Sequence, residues 1–71
     1  MINTNRLKGR IVEKGFRQSD VAKHLGIAQP TLNQKLNNVR PMDLDEAEKL
    51  AVFLDITDEE FPGFFLVHPV A

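Results

Sequence analysis

Residues 26–38, GIAQPTLNQKLNN, decide how the chain is read. Leu32 and Leu36 stand four apart, as one face of a helix places them, yet the stretch also holds Gly26 and Pro30 and is otherwise rich in Asn, Gln and Thr. The proline fits a helix that begins at Gln29, because an N–H in the first turn has no intrahelical partner to lose. Ala28 then falls at the N-cap and offers no side-chain acceptor, so the first N–H groups stay open to a ligand. At about 100° per residue, Gln29, Asn33, Asn37, Pro30 and Gln34 occupy an arc of about 140°, with Leu32 and Leu36 together outside it. That arc carries amides and no acid. A merely solvated face favours Glu and Lys, the better helix formers. An amide instead offers a donor beside an acceptor, which matches the major-groove edge of adenine.

Working outward, the upstream residues predict two more helices. The first runs from Thr4 to Lys14, with Asn3 or Thr4 as N-cap, Leu7 and Ile11 inward, Gly15 as a left-handed stop and Phe16 as an anchor into the core. The second covers about Gln18 to Leu25, with Val21, Ala22 and Leu25 inward, and ends at Gly26. Downstream of a loop over 38–41, Asp43-x-x-Glu46 is a capping box that opens a fourth helix, with Leu44, Ala47, Leu50, Ala51 and Leu54 at helical spacing. Thr57-x-x-Glu60 repeats the box for a short fifth helix, stapled by Ile56 and Phe61 and stopped by Pro62-Gly63. The apolar residues that follow, FFLVHPV, read as a strand or an extended arm. The predicted class is therefore all-α, five helices with a short extended C-terminal tail over 62–71.

With 71 residues the chain is one domain, 1–71, near the size at which a single core only just suffices, so a partner subunit is expected to add buried area. Cysteine is absent, which removes disulfides and thiolate metal sites, and His24 and His68 lie far apart in the sequence. No nucleophile with a placed base, no metal-ligand spacing and no glycine-rich phosphate loop occurs, so neither catalysis nor a cofactor is expected. No apolar run reaches the ~20 residues of a membrane span, and polar and basic residues break the first fifteen where a secretory signal is apolar. The net charge of -1 hides an asymmetry: residues 1–40 carry +6 and residues 41–71 carry −7. Such a split predicts one face for a polyanion and an opposite end repelled by it.

Residues 17–38, RQSDVAKHLGIAQPTLNQKLNN, resemble the helix-turn-helix of the Cro and lambda-type phage repressor family, also called the Xre family. Gln18 opens the first helix of the motif, Ala22 stands where the two helices touch, Gly26 in the turn and Leu32 in the core of the second helix, so that the motif covers about 18–37. The resemblance extends over about 4–61 and implies a lambda-repressor-like domain. It also implies that Gln29, Pro30, Thr31, Asn33 and Gln34 face base edges, and that Gln18 and Asn37 bind phosphates on either side. Arg17, Lys35, Asn38 and Arg40 join them as flanking phosphate candidates. Pro30, with no side-chain hydrogen bond to give, suits a thymine methyl or a sugar.

Three departures from the family pattern stand out. Arg17 replaces the usual Thr or Asn cap. Ile11 and Leu36 occupy the positions of a buried Arg–Glu pair, a joint replacement that leaves no orphan charge. Lys35 takes a place more often apolar. The resemblance implies a cytoplasmic, nucleoid-associated regulator of a bacterial host and a symmetric dimer on double-stranded operator DNA. Phe61, Phe64, Phe65, Leu66 and Val67 are either the dimer or partner interface or a tail that folds back to complete the chain's own small core. With no sensor or cleavage domain following, the chain is closer to Cro than to a full-length repressor. The alternative expectation is an antirepressor that binds another phage repressor protein.

Overall fold

The computed structural model describes residues 1–66 and contains α1 (Thr4–Glu13), α2 (Gln18–Leu25), α3 (Gln29–Leu36), α4 (Leu44–Phe53) and α5 (Phe61–Phe65). The first four start where their caps place them. Asn3 Oδ1 accepts the Arg6 N–H at 3.1 Å, and the Asp43–Glu46 box closes with bonds of 2.8 and 3.2 Å. Arg17 caps nothing with its side chain, but the Asp20 carboxylate reaches back to its N–H at 2.8 Å and supplies half a capping box from within the helix. At Ala28 no side chain caps α3, and Pro30 sits in its first turn as expected.

The ends of α1 to α4 follow one scheme. A left-handed residue (Gly15, Gly26, Asn38 or Asp55, with φ of 78°, 71°, 61° and 53°) is followed by an apolar residue whose N–H turns back five positions. Phe16 bonds the Ile11 carbonyl at 3.0 Å, Ile27 that of Ala22 at 3.0 Å, Val39 that of Gln34 at 2.8 Å and Ile56 that of Ala51 at 2.8 Å. These bonds occupy carbonyls that the helix ends leave open. Phe16, Ile27 and Ile56 pack on the core, whereas Val39 points to solvent.

That core draws Leu7 and Ile11 from α1, Val21 and Ala22 from α2, Leu32 and Leu36 from α3, and Ala47, Leu50 and Ala51 from α4, with Ile2, Leu54 and Ile56 beside them. Leu25 is only half-buried. Leu44, on the same stripe as Ala47 and Leu50 but in the first turn of α4, is 63% exposed and overhangs a concavity between α4 and α5.

The C-terminal expectations are corrected in two ways. The Thr57–Glu60 box forms, with both backbone bonds at 3.2 Å, but it closes a turn, and α5 begins only at Phe61. Pro62-Gly63, expected as a stop, lies in the first helical turn, where the missing proline N–H costs nothing. Phe64 and Phe65, expected on a strand or extended arm, are helical, and of the two expectations for their rings the structure shows the folded-back one: 2% and 5% exposed, they complete the chain's own core. Burying each ring is worth roughly 1.5–3 kcal/mol, a large gain in a domain this small. Gly63 leaves room for the Arg6 guanidinium, which lies 4.4 Å over the Phe64 ring centroid; a Cβ there would push that flexible side chain aside. Phe61 is half-buried and Leu66 exposed, while Val67, His68 and the rest of the expected tail lie outside the described residues.

Folding also redistributes the charge. Arg10 Nη2 meets Glu60 at 2.8 Å while its Nη1 caps the Leu54 and Asp55 carbonyls at 3.1 and 3.3 Å, and Lys14 meets Asp55 at 2.8 Å. Lys35 meets Glu46 at 2.5 Å. Three basic residues of the positive half are thus neutralised by the negative half, which reduces the split without removing it. Among the described residues, Arg6, Lys8, Arg17, Lys23 and Arg40 stay outside ion pairs in the first half, as do Asp43, Asp45, Glu48, Asp58 and Glu59 in the second. The Glu60 carboxyl is held below its ordinary 4.5, first by the Thr57 N–H and then by Arg10, and Asp55 is held below 3.8 by the hydrogen bond and charge of Lys14. Because the folded state binds these protons less tightly than the unfolded chain, both groups stabilise the fold above 4.5 and 3.8, and that contribution disappears as pH falls toward the lowered values. A profile of Tm against pH should therefore drop below 4.5, and Glu60→Gln should flatten the upper part of the drop. A profile unchanged by the substitution would refute the role of Glu60.

Candidate nucleic-acid interface

Leu32 and Leu36, both fully buried, seat α3 against α2 and α1 and fix which of its faces looks outward. Gln29, Pro30, Asn33, Gln34 and Asn37 are exposed, and Thr31 is half-buried at the edge of this face. Gln18, the first residue of α2, comes together with Gln29, Pro30 and Asn33 around an open concavity of about 470 Å³. The turn at Gly26–Ala28 therefore brings four of the expected contact residues to one place, with Gln34 a turn further along. The uncapped first turn of α3 opens beside them and adds the partial positive charge of a helix N-terminus, which suits a phosphate.

The flanking phosphate candidates divide. Arg17, which precedes α2, and Arg40, in the loop that follows α3, are exposed, and Gln18 is half-buried. Lys35 is held within the protein: its side chain and that of Glu46 are 13% and 14% exposed, and its ammonium is paired with that carboxylate. Asn38 is likewise engaged. Its backbone is left-handed, and its amide clamps Ile2, accepting the Ile2 N–H at 2.9 Å and donating to the Ile2 carbonyl at 3.0 Å. With Thr4 Oγ1 donating to the Leu36 carbonyl, this clamp ties the N-terminal segment to the end of α3. Asn37 spends its amide within the protein, donating to the Asn33 carbonyl at 2.9 Å and to Asn33 Oδ1 at 3.1 Å, and accepting from Lys8 Nζ at 3.2 Å.

Lys8 is thus a positive group at the end of the amide face that helical spacing in α3 could not reveal, since it comes from α1. Among the described residues, Arg6, Lys8, Arg17, Lys23 and Arg40 are the positive-half cations outside ion pairs. Of the expected partner-surface residues, Phe61 and Leu66 remain accessible, lining with Leu44 a concavity of about 200 Å³ that Asp43 borders. Among the described residues, no group of three or more His, Cys, Asp or Glu comes together to hold a metal ion, and no helix is long and apolar enough to cross a membrane.

A family model described as the Cro/C1-type HTH DNA-binding domain matches residues 6–64, from the first turn of α1 to Phe64. No curated protein and no solved structure matches the chain. The match spans all five helices and most of the chain: the chain belongs to the Cro/C1-type helix-turn-helix DNA-binding domain family.

Proposed function

We propose that this chain is a Cro-like phage or prophage repressor that blocks transcription by occupying operator DNA, with α3 in the major groove. The amide face of α3, free of acids, carries the reading, with the exposed Arg17 and Arg40 on the segments before α2 and after α3 for phosphates. A single α3 reads too few base pairs for useful specificity, so two copies take two half-sites about one helical turn apart. The second copy meets the first at Leu44, Phe61 and Leu66. The chain works by occupancy, not catalysis, in the bacterial cytoplasm.

The test is selection of bound duplexes from a random library at near-physiological salt. Enrichment of a two-fold symmetric site is the expected outcome, and none from folded protein would end the proposal. On that site, Gln29→Ala or Gln34→Ala should cost roughly 1–3 kcal/mol and relax one position per half-site. Equal loss on every sequence would remove the base-reading role.

One observation favours a second reading, an antirepressor that binds another phage repressor. The apolar surface around Leu44 and Phe61 is lined by Asp43, Glu48 and Asp58, which suits a protein better than a phosphate backbone. A steep fall of log K with log salt supports DNA as the partner, and a shallow one the protein.

A further inference from the structure

We infer that Asn33 reads guanine, because a relay of hydrogen bonds from Lys8 fixes which end of its amide faces the groove. This rests on the operator reading above and deepens it. The orientation of an exposed amide is ordinarily ambiguous, since oxygen and nitrogen are alike in shape. Here both ends of the relay remove the ambiguity. Lys8 Nζ has only hydrogens to give, so the Asn37 atom it meets at 3.2 Å is the oxygen. Asn37 Nδ2 must then turn toward α3, where the Asn33 carbonyl, which can only accept, takes it at 2.9 Å. The same nitrogen lies 3.1 Å from the Asn33 side chain, so the Asn33 atom there is its acceptor, Oδ1.

The oxygen of Asn33 is thereby held toward the following turn of α3. Its Nδ2, a donor with two hydrogens, is what remains for the concavity that Asn33 shares with Gln18, Gln29 and Pro30. Adenine presents one acceptor and one donor in the major groove, and an amide reads it only by offering both of its ends. Guanine presents two adjacent acceptors, N7 and O6, which the two hydrogens of Nδ2 satisfy, whereas against adenine those hydrogens meet an amino group that also donates while the amide oxygen is turned toward Asn37. Asn37 and Lys8 are positioning residues: they touch no base in this scheme and act through Asn33.

The experiment is duplex selection from a random library by the wild type, Asn33→Ala, Asn37→Ala and Lys8→Met, each shown to be folded by circular dichroism. The position Asn33 reads is the one that loses its preference in Asn33→Ala. There the wild type should favour guanine over adenine about tenfold, as one good base contact allows. Asn37→Ala, which releases the oxygen, should shift that position toward adenine and leave the others alone. Lys8→Met, which lets Asn37 turn over, should shift it less and in the same direction. Adenine preferred by the wild type, guanine kept in Asn37→Ala, or no position flattened by Asn33→Ala each overturns the assignment while an enriched site keeps the operator reading. No site enriched by the folded wild type overturns both.

Discussion

Leu32→Ala should leave most of the chain unfolded at 25 °C. Leu32 is 0% exposed and belongs to the single cluster on which all five helices converge. Removing a buried leucine's branched end costs about 2–5 kcal/mol, through lost transfer from water and the cavity left behind. A single core in a chain below about 70–80 residues rarely supplies more than about 3–5 kcal/mol in total. The two ranges overlap, so one truncation removes most or all of the margin. A urea titration followed by circular dichroism should show a folded baseline for the wild type and none for the variant. Val52→Ala, at a residue 78% exposed on α4, should stay within about 0.5 kcal/mol of wild type and shows that the loss comes from burial rather than helix propensity. A Leu32→Ala protein that melts within about 1 kcal/mol of wild type would mean that α3 is not seated by this residue.

Most of the frame that depends on Leu32 is legible in the sequence because it is local. Pro30 fixes the start of α3 through a missing N–H, the Asp43–Glu46 box fixes that of α4, and Gly15 and Gly26 mark two left-handed ends. Asn38 and Asp55 make the same left-handed turn without glycine. Their short polar side chains tolerate that conformation, but the residue type alone also suits a loop or a cap, so neither end was readable. The placement of Phe64 and Phe65 is undecided in the sequence for another reason. Two adjacent rings in a five-residue segment show neither strand alternation nor a helical stripe, and only the space left by the other four helices decides that both turn inward. The candidate site follows the same division. Gln29, Pro30 and Asn33 share a face by helical spacing alone, whereas the commitments of Lys35 to Glu46, Asn38 to Ile2 and Lys8 to Asn37 join residues far apart in the chain. Summing charge along the sequence cannot show which carboxylate folds onto which ammonium.

The Lys35–Glu46 pair yields the second large effect, and an asymmetric one. Glu46→Ala should cost about 2–4 kcal/mol, and Lys35→Met about 1 kcal/mol or less. Glu46 has two duties: it meets Lys35 at 2.5 Å and accepts the Asp43 N–H at 3.2 Å, so its loss strands a nearly buried ammonium and opens the capping box of α4. The stranded lysine recovers part of the loss by extending its stem to water, which keeps the cost below that of a fully buried pair. Without Lys35, by contrast, Glu46 keeps the Asp43 N–H and stands in the first turn of α4, where a negative charge is favoured. The double variant Lys35→Met, Glu46→Gln keeps the box and removes both charges, so it should match or exceed the wild type in urea. A double variant as weak as Glu46→Ala would show that the ion pair itself is required. The same substitutions discriminate at the DNA. Arg40→Ala should lower the slope of log K against log salt by about one unit, whereas Lys35→Met should leave it unchanged, because an ammonium already paired with a carboxylate releases no counterion from a phosphate. A fall of about one unit in Lys35→Met would mean that the ammonium leaves Glu46 on binding. The energy holding α3 to α4 in the free protein would then be part of what operator binding has to overcome.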